Sequence, residues 1–363
     1  MAFTINKIGR ILLAFMFASL IVSCSKEDDE SPTPAVTEKL NIILDTDLGN
    51  SLDDVFALQT LFAYQASGEC NVIGVMQSRK SEQAKRMADK LLHYYNGDNI
   101  PLGLVEGEEE FFPITPYCQL ADSLGSDGQP LFEGTGIPLT DRLPAWKLYR
   151  KLLSQAQDNS ISIVCIGMFT NLGLLLDSEG DEYSPLTGKE LIRQKVKQLD
   201  VVGGCFTELP LRFKTTGDSA EFLKVEYNIL GDIPLARHVI QDWPVQLNML
   251  PVEEGLSYPS VHDDILEMYA WQPDSPVYQI YSRYDEWETG DLGAYMWDMV
   301  ATLHTLLGEE TFSCTTEGNI SVDEDGRTTF VPTENGASHI ICLNTTGSNT
   351  FWEIFSKISE YHP

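Results

Sequence analysis

The chain has 363 residues, of which 43% are hydrophobic, and this is enough to build one large domain or two smaller domains with a substantial core. Its formal net charge is −30 and its sequence pI is about 4.4, so electrostatics argue against nucleic acid and anionic membrane surfaces as partners. The same acidity suits a protein that stays soluble outside the cytoplasm and binds cations.

The first 24 residues have the pattern of an export signal. A short basic region with Lys7 and Arg10 precedes an apolar stretch of 12 residues, 11–22, which is too short to span a bilayer. The stretch leads into Val22-Ser23-Cys24 and resembles a bacterial lipoprotein signal with Cys24 as the lipidated residue; the alternative is an ordinary secretory signal. Residues 25–38 are acidic and then Pro-rich, which predicts a linker. We therefore predict a lipoprotein of the outer membrane, periplasmic or surface-exposed, that touches the membrane only through its lipid.

From residue 39 onward, short apolar strands alternate with amphipathic helices. The pattern predicts strands over 40–44, 71–76, 101–104, 161–166 and 199–202, and helices from residue 55 onward and over 82–95, 145–156, 167–176 and 191–197. Apolar strands that alternate with helices are typical of a parallel sheet buried on both faces. We therefore predict one α/β domain over residues 39–363, with an open, mainly parallel, Rossmann-like sheet whose strands all end at one edge.

Two regions depart from this alternation. Residues 105–143 form a long irregular stretch rich in Gly and Pro, which is typical of a functional loop or lid. The second half is more helical, with added helices predicted over 233–240, 261–271, 277–284 and 294–307. Turn signals within residues 319–343 predict a small C-terminal antiparallel element before a final helix around 352–358.

The turn after the first strand carries the strongest chemical signal. Asp45, Asp47, Asp53 and Asp54 lie within ten positions, and Gly49 stands where the backbone must bend. Crowded carboxylates repel each other unless a hard cation lies among them, and ligands bind at the carboxyl edge of open α/β sheets. Asp before a helix also serves as a simple cap, but four carboxylates around a Gly favour a metal or catalytic site.

Several later segments can face this turn because they follow other predicted strands or open a helix. They are Phe169-Thr170-Asn171-Leu172, Gly203-Gly204-Cys205-Phe206, Glu226-Tyr227-Asn228 and Met296-Trp297-Asp298. All of them combine small, amide, hydroxyl or acidic residues at positions where a sheet edge presents side chains to a ligand.

Taken together, these motifs resemble the inosine–uridine-preferring nucleoside hydrolase family. The family signature is an Asp-rich turn after the first strand, and Asp45-Thr46-Asp47-Leu48-Gly49 followed by Asp53-Asp54 matches it. Asn50-Ser51-Leu52 stands where many members have one residue, as in a longer-turn bacterial subgroup that often has Asp where this chain has Ser51. The later motifs follow in the family order, and the resemblance covers nearly all of residues 40–345.

The resemblance implies an N-glycosidase that uses one Ca²⁺. By position, Asp47, Asp54 and Asp298 look like side-chain ligands, and Thr170 looks like a backbone-carbonyl ligand. Ca²⁺ takes six to eight oxygen ligands, so water and sugar hydroxyls can complete such a shell. A water bound to the cation and hydrogen-bonded to Asp47 can then be activated as the nucleophile.

The implied partner is a small molecule, a nucleoside or a related ribosyl compound. Asp53, Glu226 and Asn228 look like contacts to the ribose hydroxyls, where anionic groups would stabilise an oxocarbenium-like transition state. Family members are commonly dimers or tetramers, so self-association is open.

Two departures from the family pattern concern the leaving base. Trp297 stands where many members have a His that is proposed to protonate the base. Activation would then need stacking on Trp297, Trp287 or Tyr284, or another donor, although Trp297 could equally be a core aromatic. Residues 74–81 form a segment shorter than in typical members, without the Asn that usually touches ribose. Base specificity therefore stays open, and another ribosyl or glycosyl compound is an alternative substrate.

Two other functions compete with this interpretation. A Mg²⁺ phosphohydrolase of the haloacid-dehalogenase type would use Asp45 as nucleophile and Gly231-Asp232 as a later acidic motif, but Gly49 occupies the position of its expected Thr. A non-catalytic surface protein that binds a sugar or nucleoside with the same fold is the other alternative. The six His residues show no metal-ligand spacing, and Cys165 and Cys205 are predicted to be buried core thiols.

Overall fold

A computed structural model of the chain describes residues 39–49, 51–107, 114, 116–207, 225–283, 295–308, 312–314, 317–342 and 347–363. The predicted signal with Cys24 and the linker lie outside these residues, as do Tyr284 and Trp287. Within the described ranges, no helix is long and apolar enough to cross a membrane.

The described strands join into one sheet of ten strands. Their bounds are β1 Leu40–Thr46, β2 Cys70–Gln77, β3 Leu102–Leu104, β4 Ile161–Cys165, β5 Val196–Val202, β6 Gln246–Leu250, β7 Ser313–Cys314, β8 Gly318–Val322, β9 Thr328–Pro332 and β10 Ser338–Cys342. The order across the sheet is β3-β2-β1-β4-β5-β6-β10-β8-β9, with β7 paired to β10. Pairing is parallel from β3 to β10 and antiparallel among β10, β7, β8 and β9. The predicted mainly parallel α/β sheet with a small C-terminal antiparallel element is confirmed.

Helices cover the sheet and mostly follow the sequence pattern. Their bounds are α1 Asp53–Ser67, α2 Glu82–Tyr94, α3 Ala145–Gln155, α4 Thr170–Leu176, α5 Gly188–Lys195, α6 Tyr227–Leu230, α7 Ile233–Asp242, α8 Val252–Gly255, α9 His262–Tyr269, α10 Pro276–Tyr281, α11 Trp297–Leu307 and α12 Gly347–Ser359. Two short 3₁₀ segments, Pro116–Asp122 and Leu139–Asp141, lie inside the irregular stretch 105–143.

Near the middle of the sheet, the structure differs from the sequence prediction at one helix boundary and at one strand. The predicted helix over 191–197 starts earlier, because Thr187 and Glu190 form a reciprocal capping box, and it ends at Lys195. Val196 already pairs with Ile161 of β4, so pairing with a buried neighbour overrides the local helical pattern. The sequence prediction also missed β6, which alternates polar and apolar residues and bridges β5 to β10.

The core forms on both faces of the sheet because successive strand residues point to opposite sides. On β1, Ile42 and Leu44 belong to one buried cluster, which also contains residues of α1 and α11, whereas Ile43 belongs to the other cluster with residues of α3, α4 and α7. Burial of each such side chain stabilises the fold by about 1.5–3 kcal/mol. Strand order reverses direction between β1 and β4, and a crevice at such a switch point is where ligands bind in open α/β sheets.

Candidate active site

Four carboxylates meet at the carboxyl edge of the sheet. Asp47 follows β1, Asp53 and Asp54 form the first turn of α1, and Asp298 lies in the first turn of α11. All four are at most 4% exposed. The backbone N–H of Asp298 donates to Asp53 Oδ2 at 2.9 Å, and this bond ties the two helix starts together across 245 positions of sequence.

Burial and mutual repulsion disturb the titration of these groups. Burial raises the pKa of Asp54 well above its usual value, and the charges of Asp47 and Asp53 raise it further, whereas Arg79 lowers it. The pKa of Asp298 is likewise raised well above its usual value, by burial and then by the charges of Asp53, Asp54 and Asp47. Burial also raises the pKa of Asp53, although hydrogen bonds from the Asp298 amide and from Ser51 oppose the shift. The site therefore favours a bound positive charge.

One oxygen of the Asp54 carboxylate is suited to contact a cation. Its Oδ1 accepts a short hydrogen bond from the Thr46 hydroxyl, which in turn accepts from the Leu48 amide at 3.1 Å. Its Oδ2 is buried and has no hydrogen-bond partner in the described part of the chain. Leaving a carboxylate oxygen buried in this way is costly. Protonation of the carboxyl group or contact with a cation would remove this cost.

The donor chemistry of the cluster fits a hard cation. Carboxylate and carbonyl oxygens are the ligands that Ca²⁺ takes in proteins. Among the described residues, however, no three His, Cys, Asp or Glu side chains are placed so that they could hold a metal ion by themselves. A cation here would thus need backbone, water or substrate oxygens in addition to the carboxylates.

Asp45 has a different environment from the other three carboxylates of the turn. It lies on β1, where Tyr149 donates its hydroxyl to Asp45 Oδ2 and Asn171 donates its amide to Asp45 Oδ1, each at 3.0 Å. Burial raises the pKa of Asp45 to about 8, even though both hydrogen bonds lower it. Burial thus disfavours the charged form that a phosphohydrolase nucleophile needs, and both oxygens of Asp45 are already hydrogen-bonded.

The exit of β4 packs directly against the acidic turn. A Cβ on Gly167 would approach the Asp47 amide nitrogen to 2.5 Å, so only Gly allows this close approach. Thr170 then begins α4 and donates its hydroxyl to Asp232 Oδ2 at 2.7 Å. Asp232 caps α7 by accepting from the Leu235 amide. This structural role accounts for an Asp at the position that the phosphohydrolase alternative used as its later acidic motif.

Glu226 and Asn228 form one wall of the crevice. The Glu226 carboxylate caps α6 and accepts from the amides of Asn228 at 2.9 Å and Ile229 at 3.1 Å. Burial raises the pKa of Glu226 to about 7 despite these bonds. The Asn228 amide group donates to the carbonyls of Ile166 and Val202, at the ends of β4 and β5. Its Oδ1 is buried with no hydrogen-bond partner within the described ranges, so it can accept a bond from a ligand.

Trp297 belongs both to the core and to the crevice. Its indole N–H donates to the Val252 carbonyl at 2.8 Å, so this N–H is already engaged. Its ring lies against Gly255, where a Cβ would come within 1.7 Å of Trp297 Cδ1, and its centroid is 5.1 Å from that of Tyr295. The cavity that Trp297 lines is also bounded by Ser51, Ile166, Val202, Glu226, Tyr227, Asn228, Val252 and Asp298.

Three site residues were missed in the sequence analysis. Arg79 is fully buried just beyond β2, donates to the Tyr227 hydroxyl at 2.9 Å and lowers the pKa of Asp54. Ser78 links the edges of β1 and β4, because its hydroxyl donates to the Thr46 carbonyl and accepts from the Met168 amide. Both follow a predicted strand end, and that position was an available signal. Tyr117, from the irregular stretch, also contacts the turn, but no local pattern points to it.

Comparisons with known proteins agree with this architecture. A family model described as inosine-uridine preferring nucleoside hydrolase matches residues 42–353. The inosine-uridine preferring nucleoside hydrolase from Bacillus anthracis superposes with a TM-score of 0.63 at 17% identity, covering 88% of this chain and 99% of that one. An inosine-guanosine nucleoside hydrolase gives a TM-score of 0.64 at 18% identity, covering 89% of this chain and 99% of that one.

A further similar structure is the type III effector protein XopQ complexed with adenosine diphosphate ribose. Its TM-score is 0.60 at 14% identity, covering 89% of this chain and 94% of that one. Identities this low show a shared fold. A search of curated proteins found no significant match to the sequence.

Proposed function

Because the chain belongs to the inosine–uridine preferring nucleoside hydrolase family and is thus a glycosyl hydrolase of nucleosides, we propose that its acidic turn carries out Ca²⁺-dependent hydrolysis of an N-glycosidic bond. The substrate is a nucleoside or a related ribosyl compound. The observation that carries the proposal is the meeting of Asp47, Asp53, Asp54 and Asp298 in one buried place. So many buried carboxylates destabilise the protein in their charged form, and a positive charge bound among them would remove this cost without their protonation.

Asp47, Asp54 and Asp298 would each contribute side-chain oxygens to the cation, and backbone, water or substrate oxygens would have to complete the site, since no three acidic, His or Cys side chains of the described residues form one alone. The hydroxyl of Thr170 is engaged with Asp232, so a contact from Thr170 would come from its backbone carbonyl. When bound, Ca²⁺ supplies a positive charge that makes water in the site more acidic and that binds sugar hydroxyls.

Asp47 acts in this proposal as the general base. It takes a proton from a water molecule as that water attacks C1′, while the C–N bond breaks and its electron pair stays on the base nitrogen. Asp53, Glu226 and Asn228 bind the ribose hydroxyls and orient the ring. The negative charge of the surrounding carboxylates stabilises the positive charge that develops on the sugar.

The leaving base would bind against Trp297. Since the Trp297 N–H is bonded to Val252, the indole offers the face or edge of its ring rather than a proton. The apolar side chains of Ile166, Val202 and Val252 border the same cavity. This wall suits a flat, partly apolar group, such as a nucleobase. Its apolar side chains do not select one nucleobase over another. A ribosyl ligand larger than a nucleoside is an alternative substrate in this proposal, since the similar effector structure holds adenosine diphosphate ribose.

Location outside the cytoplasm is part of the proposal. The basic region, short apolar stretch and Cys24 support export as a lipoprotein, and residues 25–38 support a tether between lipid and enzyme. Such a position would expose the active site to nucleosides outside the cytoplasm, and only the lipid would contact the membrane.

The test is an assay of the chain from residue 25 onward against inosine, uridine, guanosine, adenosine and cytidine, with and without chelator. Free base and free ribose are both measured, since hydrolysis must release them in equal amounts. Asp47→Asn tests the base, and Asp158→Asn is the control, because Asp158 is exposed and bonded to Lys195 just before β4 at the opposite edge of the sheet. Chelator-sensitive release that Asp47→Asn abolishes and Asp158→Asn preserves is expected. Release that persists in chelator, or in Asp47→Asn at the wild-type rate, would refute the proposed site.

A further inference from the structure

One hydroxyl from a distant part of the chain links both sides of the acidic turn, which Gln77 also contacts by donating its side-chain amide to the Leu48 carbonyl at 3.1 Å. The backbone N–H of Gly49 donates to Tyr117 Oη at 2.7 Å, and the same hydroxyl donates to the carbonyl of Ser51 at 3.2 Å. Tyr117 therefore accepts from one arm of the turn and donates to the other. These two arms carry Asp47 and Asp53, whose positions the proposed chemistry requires.

The position of this hydroxyl is set by packing around it. Tyr117 is completely buried, and Cys118, Leu120 and Ala121 of the same 3₁₀ segment are also buried in the core cluster that contains α1. The phenol ring is thus held by apolar neighbours, which leaves its hydroxyl little freedom to move away from the turn.

Gly49 shows how closely the segment and the turn approach each other. Its φ is +113°, a conformation that strains residues with a side chain. A Cβ at this position would also come within 3.1 Å of Cys118 Sγ and 3.2 Å of Ala84 Cβ. The backbone conformation therefore requires Gly where the Tyr117 segment meets the turn, and a side chain there would also have to push Cys118 or Ala84 aside by a few tenths of an ångström.

The connection continues into the active-site cavity. Ser51, whose carbonyl accepts the Tyr117 hydroxyl, lines the cavity and donates its own hydroxyl to Asp53. Asp53 in turn accepts the amide of Asp298. A shift of the turn at Ser51 would thus be passed to both carboxylates through direct hydrogen bonds.

From this geometry we infer that Tyr117 is a positioning residue, which holds the acidic turn in the conformation that binds cation and sugar. The inference rests on the proposed function for its catalytic consequence. It also gives part of the 105–143 stretch a role as a fixed support of the site. The hydroxyl contributes through Gly49 and Ser51 and does not itself touch the reacting atoms.

The test replaces Tyr117 with Phe, which keeps the ring in the core and removes only the hydroxyl. Tyr269→Phe is the matched control, because Tyr269 is also completely buried and its hydroxyl bonds to Gln59 in the second turn of α1, away from the acidic turn. Hydrogen exchange of the peptide spanning residues 47–53 should become about tenfold faster in Tyr117→Phe and stay unchanged in Tyr269→Phe. The Kd for Ca²⁺, measured by calorimetry, should rise about tenfold in Tyr117→Phe alone.

Activity provides a third readout. We expect kcat of Tyr117→Phe to fall by about 10–100-fold with little change in KM, since a small displacement of a catalytic group slows the chemical step. Wild-type exchange and calcium affinity in Tyr117→Phe, or equal losses in Tyr269→Phe, would overturn the inference. If Tyr117→Phe does not fold, rapid exchange of the same peptide in the wild-type protein would overturn it, whereas strong protection there would support it. If the wild-type protein releases no base, the proposed function fails, while exchange and calorimetry still decide the role of Tyr117.

Discussion

Replacing Asp54 with Asn should stabilise the calcium-free protein. The same change should remove most of the stabilisation that calcium gives the wild-type protein. Asp54 is completely buried, its Oδ2 has no hydrogen-bond partner among the described residues, and its pKa is raised well above the usual value by burial and by neighbouring carboxylates. An Asn side chain has nearly the same shape and can still accept from Thr46. It carries no charge, so the repulsion from Asp47 and Asp53 disappears.

The size of the effect follows from the cost of the buried group. Relief of an uncompensated buried polar group contributes about 1–3 kcal/mol to the free energy of unfolding, which corresponds to a rise in Tm of about 2–6 °C for a large domain. In wild-type protein, Ca²⁺ at 100 times its Kd adds about 2.7 kcal/mol to the free energy of unfolding. If Asp54→Asn weakens calcium binding about 100-fold, the same Ca²⁺ concentration adds only about 0.4 kcal/mol.

The direction in which stability changes with pH follows from proton binding. Because the pKa of Asp54 is higher in the folded than in the unfolded state, the folded state binds more protons between those two values. Without calcium, the free energy of unfolding of wild-type protein therefore falls as pH rises through this window. In Asp54→Asn this fall should be smaller.

The assay is thermal unfolding in chelator and in millimolar Ca²⁺, with Asp200→Asn as the control. Asp200 is also completely buried, but the charge and hydrogen bond of His304 outweigh burial and hold its pKa below the usual value. Asp200→Asn should therefore destabilise the protein by about 3–5 kcal/mol in both conditions and leave the calcium gain unchanged. A lower Tm of Asp54→Asn in chelator, or a calcium gain equal to that of wild type, would refute the reasoning.

Three further predictions test separate parts of the molecule. Asp47→Ala should lower kcat by about 10²–10⁴-fold because it removes the general base, and a wild-type circular dichroism spectrum together with retained activity would contradict this role. Gly255→Ala should lower the free energy of unfolding by about 1–3 kcal/mol, since its new methyl group would overlap Trp297; an unchanged denaturation midpoint would show that the ring is free to move. Cys24→Ala should abolish incorporation of labelled fatty acid and release the protein from the membrane fraction, whereas persistent labelling would exclude Cys24 as the lipidated residue.

Local sequence patterns were sufficient for most of the parallel half of the sheet. The apolar run before the Asp-rich turn predicted β1, and helix periodicity predicted α2 to within one residue at its end. The reason is that period and composition depend on which face each residue buries, and this is a property of neighbouring residues. For the same reason Asp47, Asp53 and Asp54 could be recognised as one group, because the turn that gathers them is short.

Other parts of the site depend on contacts between distant segments. Asp298 meets Asp53 across 245 positions, and Tyr117 meets Gly49 across 68, through bonds that exist only once the helices have packed on the sheet. Tertiary structure also separated Asp45 from its neighbours in sequence, because Tyr149 and Asn171 hold its carboxyl group on β1.

The sequence by itself thus determined most of the elements and the acidic chemistry of the first turn. The family resemblance already pointed to Asp298 as a partner of that turn, but only the tertiary structure decided that its amide bonds to Asp53, that Trp297 has its N–H engaged, and that Tyr117 links the two arms of the turn. The physical reason is that burial and long-range hydrogen bonds are collective properties of packed elements, and neither spacing nor composition along one segment specifies them.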